Sequence, residues 1–112
     1  MSSAPVEARL HALRAETEAE LRAAGERIDA MTAARADANA DDEHDPEGAT
    51  IGFEWSQADA LRGGLRQRLA EIDAALTRIA DGTDGVCAVC GEPIAPGRLE
   101  ARPTTDRCIR HA

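Results

Sequence analysis

All three cysteines of this chain fall within its last 26 residues: Cys87-Ala88-Val89-Cys90-Gly91, then Cys108-Ile109-Arg110-His111. The pattern is C-x2-C, seventeen residues, then C-x2-H. That separation suits two short knuckles closing on one tetrahedral Zn²⁺, as in a zinc ribbon or a treble-clef-like finger. Glycine after Cys90 fits a tight turn whose backbone N–H groups point at thiolates. A disulfide framework would want an even number of cysteines and a secretory leader, and neither is found. A redox Cys-x-x-Cys pair would need a βαβ context and would leave Cys108 without a role. The candidate ligands are therefore Cys87, Cys90, Cys108 and His111. Water or a neighbouring group is the alternative fourth ligand if His111 stands aside at the C-terminus.

Outside this cluster the chain has little with which to build a thick core. Hydrophobic residues make up 43% of 112, much of it alanine, with one Phe, one Trp and no Tyr. Such a composition favours helices packed along a narrow seam, together with a small metal-stapled module. Periodicity agrees. Ser3 and Pro5 suit a helix start, and residues 1–4 read as disordered or as its cap. From Val6 onward Leu10, Leu13, Thr17, Leu21, Ala24, Ile28 and Met31 mark a first seam. From Ile51 to Ile79 the residues Ala58, Leu61, Leu65, Leu69, Ile72, Leu76 and Ile79 mark a second. Both step 3-4-4-3-4-3, a coiled-coil seam with one local irregularity. Two matched seams joined by a short turn predict an antiparallel two-helix coiled-coil hairpin over 1–82, with arms of about 45 Å at ~1.5 Å per residue. Residues 83–112 are expected to form a small C-terminal zinc finger.

The turn spans about 37–49 and carries Asp37, Asp41, Asp42, Glu43, Asp45 and Glu47. Pro46 and Gly48 punctuate it. Asp45, Pro46 and Glu47 read equally as the N-cap and first turn of the second helix. His44 reads as solvated. Gly63 and Gly64 cost the second helix ~2 kcal/mol together and mark either a bend or a close helix contact. Phe53 and Trp55 sit just after the turn. Either both pack there, or one caps the seam while the other is an exposed anchor. Gly82 is the expected helix stop. Arg98–Arg102 is expected to be a short strand ended by Pro103, and Cys108–His111 a helical turn.

The formal charge of −8 disfavours nonspecific nucleic-acid binding, although Arg98, Arg102, Arg107 and Arg110 make the finger locally basic. No apolar run approaches a membrane span, and unpaired cysteines at metal spacing point to an intracellular protein. A fully ligated zinc is structural, and no nucleophile–base pair, phosphate loop or cofactor fingerprint accompanies it. An enzyme is not expected. The acidic turn suits a basic surface or a bound Mg²⁺, or simply keeps the loop solvated.

Three stretches resemble the DksA/TraR family: Gly85-Val86-Cys87-Ala88-Val89-Cys90-Gly91-Glu92-Pro93-Ile94, Arg98-Leu99-Glu100-Ala101-Arg102-Pro103 and Cys108-Ile109-Arg110-His111. Asp45-Pro46-Glu47-Gly48-Ala49 and the Asp81-Gly82 helix exit resemble it too. The likeness covers roughly residues 40–111, and the first helix by pattern only. It implies a bacterial, cytoplasmic transcription regulator that binds RNA polymerase directly and makes no sequence-specific DNA contact; a monomer is expected, with a dimer through the seam as the alternative. It also implies that the hairpin enters the polymerase secondary channel, with acidic tip residues near the active-site region and the finger on the rim. Asp45 and Ala49 carry over as tip residues, with Glu47 as a stand-in, because the family's Asp-x-x-Asp-x-Ala pattern is one residue shorter here. His111 replaces the family's usual fourth cysteine. The C-terminal helix and guanosine tetraphosphate sites of longer members have no counterpart to carry over. The alternative function is a zinc-stabilised coiled-coil adaptor for another protein.

Overall fold

The computed structural model describes residues 3–41 and 46–112, with the side chains of 38–41, 46–49 and 51 outside the description. Its order is α1 (Ala4–Asp41), α2 (Pro46–Asp81), α3 (Pro96–Ala101) and a 3₁₀ turn (Ile109–His111). Helix predominates, and no named strand occurs among the described residues. Both long helices exceed their expected spans. α1 runs on through alanines to Asp41. Alanine is the best helix former, and its spacing here outweighs the aspartates that suggested a loop. α2 begins at Pro46, whose fixed φ and missing N–H suit a first helical position. Asp45 and His44 lie outside the described residues. Glu47 and Ala49 belong to the first turn of α2, with their side chains outside the description.

The chain divides into two compact units, residues 1–16 with 68–112 and residues 17–67. In the first, Leu10, Ile72 and Ala75 form a buried cluster, with Val6, Leu13, Leu76 and Ile79 packed around it. The helices there are antiparallel. Ser3 pairs with Asp84, and eleven residues further along α1 Arg14 pairs with Asp73, eleven residues back. The Ser3 hydroxyl therefore donates across to Asp84 instead of accepting from its own helix start. The backbone carbonyl of Ser3 takes the Glu7 amide at 2.8 Å.

In the second unit the buried seam residues are Thr17, Ala24, Ile28, Ala58 and Leu65. Trp55 Nε1 donates to Thr32 Oγ1 at 3.1 Å, and three residues away on each helix Gly52 faces the Arg35 side chain. The two aromatics are thus sorted: Trp55 is half-buried against α1, while Phe53 is 65% exposed.

One seam residue is corrected. Leu61 is 50% exposed, and the half-buried position belongs to its neighbour Arg62. With Arg62 in place, α2 steps 4-3-4-3-4-3 through Ala58, Arg62, Leu65, Leu69, Ile72, Leu76 and Ile79. That is a regular heptad, the spacing that keeps an apolar stripe turned toward a partner helix. Arg62 lays its stem on the seam and turns Nη2 to Asp59 Oδ1 at 2.6 Å. Gly63 and Gly64 are helical, and a Cβ at either would meet nothing within 4 Å, so no close helix contact explains them.

Candidate metal centre

The finger is built by backbone hydrogen bonds before any metal is considered. α2 ends in a Schellman motif: Gly82 lies at φ 74°, its amide bonds Ile79 O at 3.1 Å, and the Thr83 amide bonds Arg78 O at 2.9 Å. The chain then folds back on itself as a tight hairpin. Ile94 N donates to Gly85 O and Cys87 N to Glu92 O, each at 2.8 Å, around an antiparallel bridge of Val86 with Pro93. Inside this hairpin lies the first knuckle. Gly91 adopts φ 75° so that its amide can return to Cys87 O at 2.9 Å. An L side chain at that dihedral is strained, which is the physical content of the Cys-x-x-Cys-Gly sequence.

The second ligand pair is tied to the first by Ala88 N donating to Asp106 O at 2.8 Å. Arg98 Nε holds Arg107 O at 2.9 Å, just ahead of Cys108. Cys108 is extended at φ −74°, ψ 170°, and the chain then turns 3₁₀, with His111 N bonded to Cys108 O at 3.0 Å. This is the expected helical turn, and it places the i and i+3 side chains on one side. Residues 98–102, by contrast, are not a strand. Pro96 starts the short helix α3, and Arg102 N closes it on Arg98 O at 2.7 Å. The reason lies in Ala95 and Pro96: an extended residue followed by proline at the first helical position nucleates a turn that Arg98 and Leu99 complete by bonding Ala95 O. Leu99 then packs on the buried cluster of Cys87, Ile94 and Cys108.

Together these elements bring Cys87, Cys90, Cys108 and His111 into one group, with all four ligand atoms within 4.8 Å of one another. Cys90 Sγ lies 3.7 Å from Cys108 Sγ, and His111 Nδ1 lies 3.2 Å from Cys108 Sγ and 3.8 Å from Cys87 Sγ. A tetrahedron with zinc–sulfur bonds of ~2.3 Å and a zinc–nitrogen bond of ~2.0 Å has edges of roughly 3.5–3.8 Å. The set fits a structural zinc, with His111 presenting Nδ1 to it.

The electrostatics agree. The Cys108 backbone amide, helped by the amides of Cys90 and Val89 and opposed by burial, pulls the Cys87 thiol down to about 6. His111 lowers the Cys108 thiol, and Cys108 in return, followed by Cys87, raises His111. Cys90 goes the other way: the Glu92 amide lowers it, but burial and the two neighbouring thiols together raise it. Three sulfurs this close cannot all ionise against a single imidazolium. A dication supplies the missing charge, and thiolate is the form that binds it. Four protein ligands leave no position for a reacting water.

Comparisons with known proteins converge on one family. Residues 82–110 match the family described as the prokaryotic dksA/traR C4-type zinc finger. The match stops one residue before His111, where this chain departs from an all-cysteine set. A relative from Caulobacter vibrioides named RNA polymerase-binding transcription factor DksA is 51% identical over 58 residues, covering 50% of this chain and 41% of the relative. A protein of the same name from Haemophilus influenzae is 41% identical over 61 residues, covering 54% of this chain and 42% of its own length. These alignments therefore span less than half of either relative. The structure of transcription factor DksA2 from Pseudomonas aeruginosa superposes with a TM-score of 0.79 at 26% identity, covering 98% of this chain and 81% of that one.

Proposed function

We propose that this chain, which resembles the DksA/TraR zinc-finger family in its finger and in its fold, is a transcription regulator that binds RNA polymerase directly and modulates initiation. The observation that carries this reading is a coincidence of two likenesses: the finger matches the family in sequence, and 98% of the chain shares its fold with DksA2. The division of labour follows the sequence. Residues 1–82 form the helical pair that enters the polymerase secondary channel, and residues 83–112 form the finger, held by Cys87, Cys90, Cys108 and His111, that rests on the rim. Asp45, Glu47 and Ala49 act at the tip, where carboxylates shift the stability of initiation complexes. The protein works as a cytoplasmic monomer, catalyses no reaction and makes no sequence-specific DNA contact. Its charge of −8 supports that last point, since phosphate repels an acidic surface. Among the described residues no helix is long and apolar enough to cross a membrane.

The test is photo-crosslinking from residue 45 to purified core polymerase, with promoter-complex lifetimes measured in parallel. Crosslinks to the subunit lining the secondary channel, together with loss of the lifetime effect in the Asp45→Lys, Glu47→Lys variant, support this function. Unchanged polymerase binding and lifetimes in that variant would reject the tip assignment. No binding by the parent protein would favour the coiled-coil adaptor.

A further inference from the structure

Three helix-interior glycines lie where nothing in the fold asks for glycine. A Cβ added at Gly25, Gly63 or Gly64 would meet nothing within 4 Å, and none of the three has positive φ. Alanine would fit each site and hold the helix better. The three also share one level of the helix pair. Thr32 and Trp55 are hydrogen-bonded across the second unit. One heptad back along α1 from Thr32 is Gly25, and one heptad on along α2 from Trp55 is Arg62, followed at once by Gly63 and Gly64.

At the same level α1 buries only the small side chain of Ala24, and α2 supplies no apolar knob. Arg62 fills the seam there, and its ion-pair partner, Asp59, is on its own helix. Arg62 Nε is shut off from solvent and has no acceptor among the described residues. A buried donor left unpaired penalises the closed arrangement and is relieved as soon as water reaches it. Neighbouring levels, at Ile28, Ala58 and Leu65, are buried and apolar.

We propose that Gly25 and Arg62–Gly64 form a built-in yielding point of the helix pair. The seam opens locally there, Arg62 turns out to water and satisfies Nε, and the apolar levels on either side stay closed. The device requires no bound partner and does not depend on the function proposed above.

Amide hydrogen exchange on the full zinc-bound protein tests it. Protection factors at 62–64 are expected to be at least roughly tenfold below those at 72–76, and also below those at 55–58, although the latter lie nearer the turn. In the Arg62→Leu, Gly63→Ala, Gly64→Ala variant the gap closes to within about threefold. Protection that falls steadily from 76 to 55, or a gap that the triple variant leaves unchanged, overturns the proposal.

Discussion

The sulfurs of Cys90 and Cys108 stand 3.7 Å apart although the two residues are eighteen positions apart in the chain. That spacing is an edge of a zinc tetrahedron, and few apolar groups besides Ile94 and Leu99 hold it closed. The metal therefore carries much of the finger's folding free energy, on the order of 10 kcal/mol for such sites. Chelation is expected to unfold residues 83–112, read as collapse of their amide chemical-shift dispersion. Retained dispersion in the chelated protein would show that the finger folds without metal.

His111 meets Cys108 through Nδ1 at 3.2 Å. His111→Ala is expected to weaken zinc binding by more than the ~10–100-fold typical of losing a supporting residue, whereas His111→Cys retains the metal. Cobalt substitution provides the measurement. A shift in His111→Cys from the spectrum of three thiolates and one imidazole to that of four thiolates checks the ligand directly. An unchanged cobalt spectrum in His111→Ala would remove His111 from the site.

Cys87 is held at about 6, well below its ordinary 9.0. A depressed thiol contributes stability that is fully present above pH 9.0 and is lost as pH falls toward about 6. Protons compete with zinc in the same direction. Zinc affinity, measured against a chelating dye from about pH 8 to about pH 5, is expected to fall with acidification and most steeply below about 6. A flat profile across that range contradicts the assignment.

Register in α2 can be tested by a pair of substitutions. Leu65 is buried and Leu61 is half-exposed. Leu65→Ala is expected to cost about 2–5 kcal/mol in urea unfolding, and Leu61→Lys to fall within about 0.5 kcal/mol of the parent. Equal costs would restore Leu61 to the seam.

The Arg14–Asp73 ion pair spans the helices at 2.6 Å, yet its side chains are 38% and 47% exposed. Solvent screening limits such a pair, so Arg14→Ala is expected to cost less than about 1 kcal/mol. Leu10→Ala, which empties the adjacent core, costs about 2–5 kcal/mol. A larger loss for Arg14→Ala than for Leu10→Ala would reverse this ranking.

Much of the molecule was legible in the residues alone. Ligand spacing picked out the four members of the metal cluster, because a knuckle can close on a metal only at short fixed offsets. Heptad spacing gave two helices and the first seam from Leu10 to Met31. Gly82 and Gly91 announced their turns, because both occupy dihedrals that L side chains resist. Tertiary structure decided what local pattern left degenerate. Positions i+3 and i+4 lie on nearly the same helix face, so Leu61 and Arg62 were both admissible after Ala58, and only the facing helix selected Arg62. Ser3 could have capped its own helix until the fold brought Asp84 within reach. Arg98–Arg102 has no period long enough to mark helix or strand; the turn nucleated by Ala95 and Pro96 starts it as helix, and Leu99 packs it on the buried Cys87–Ile94–Cys108 cluster. Periodicity determines which face is apolar; the neighbour across the interface determines its phase.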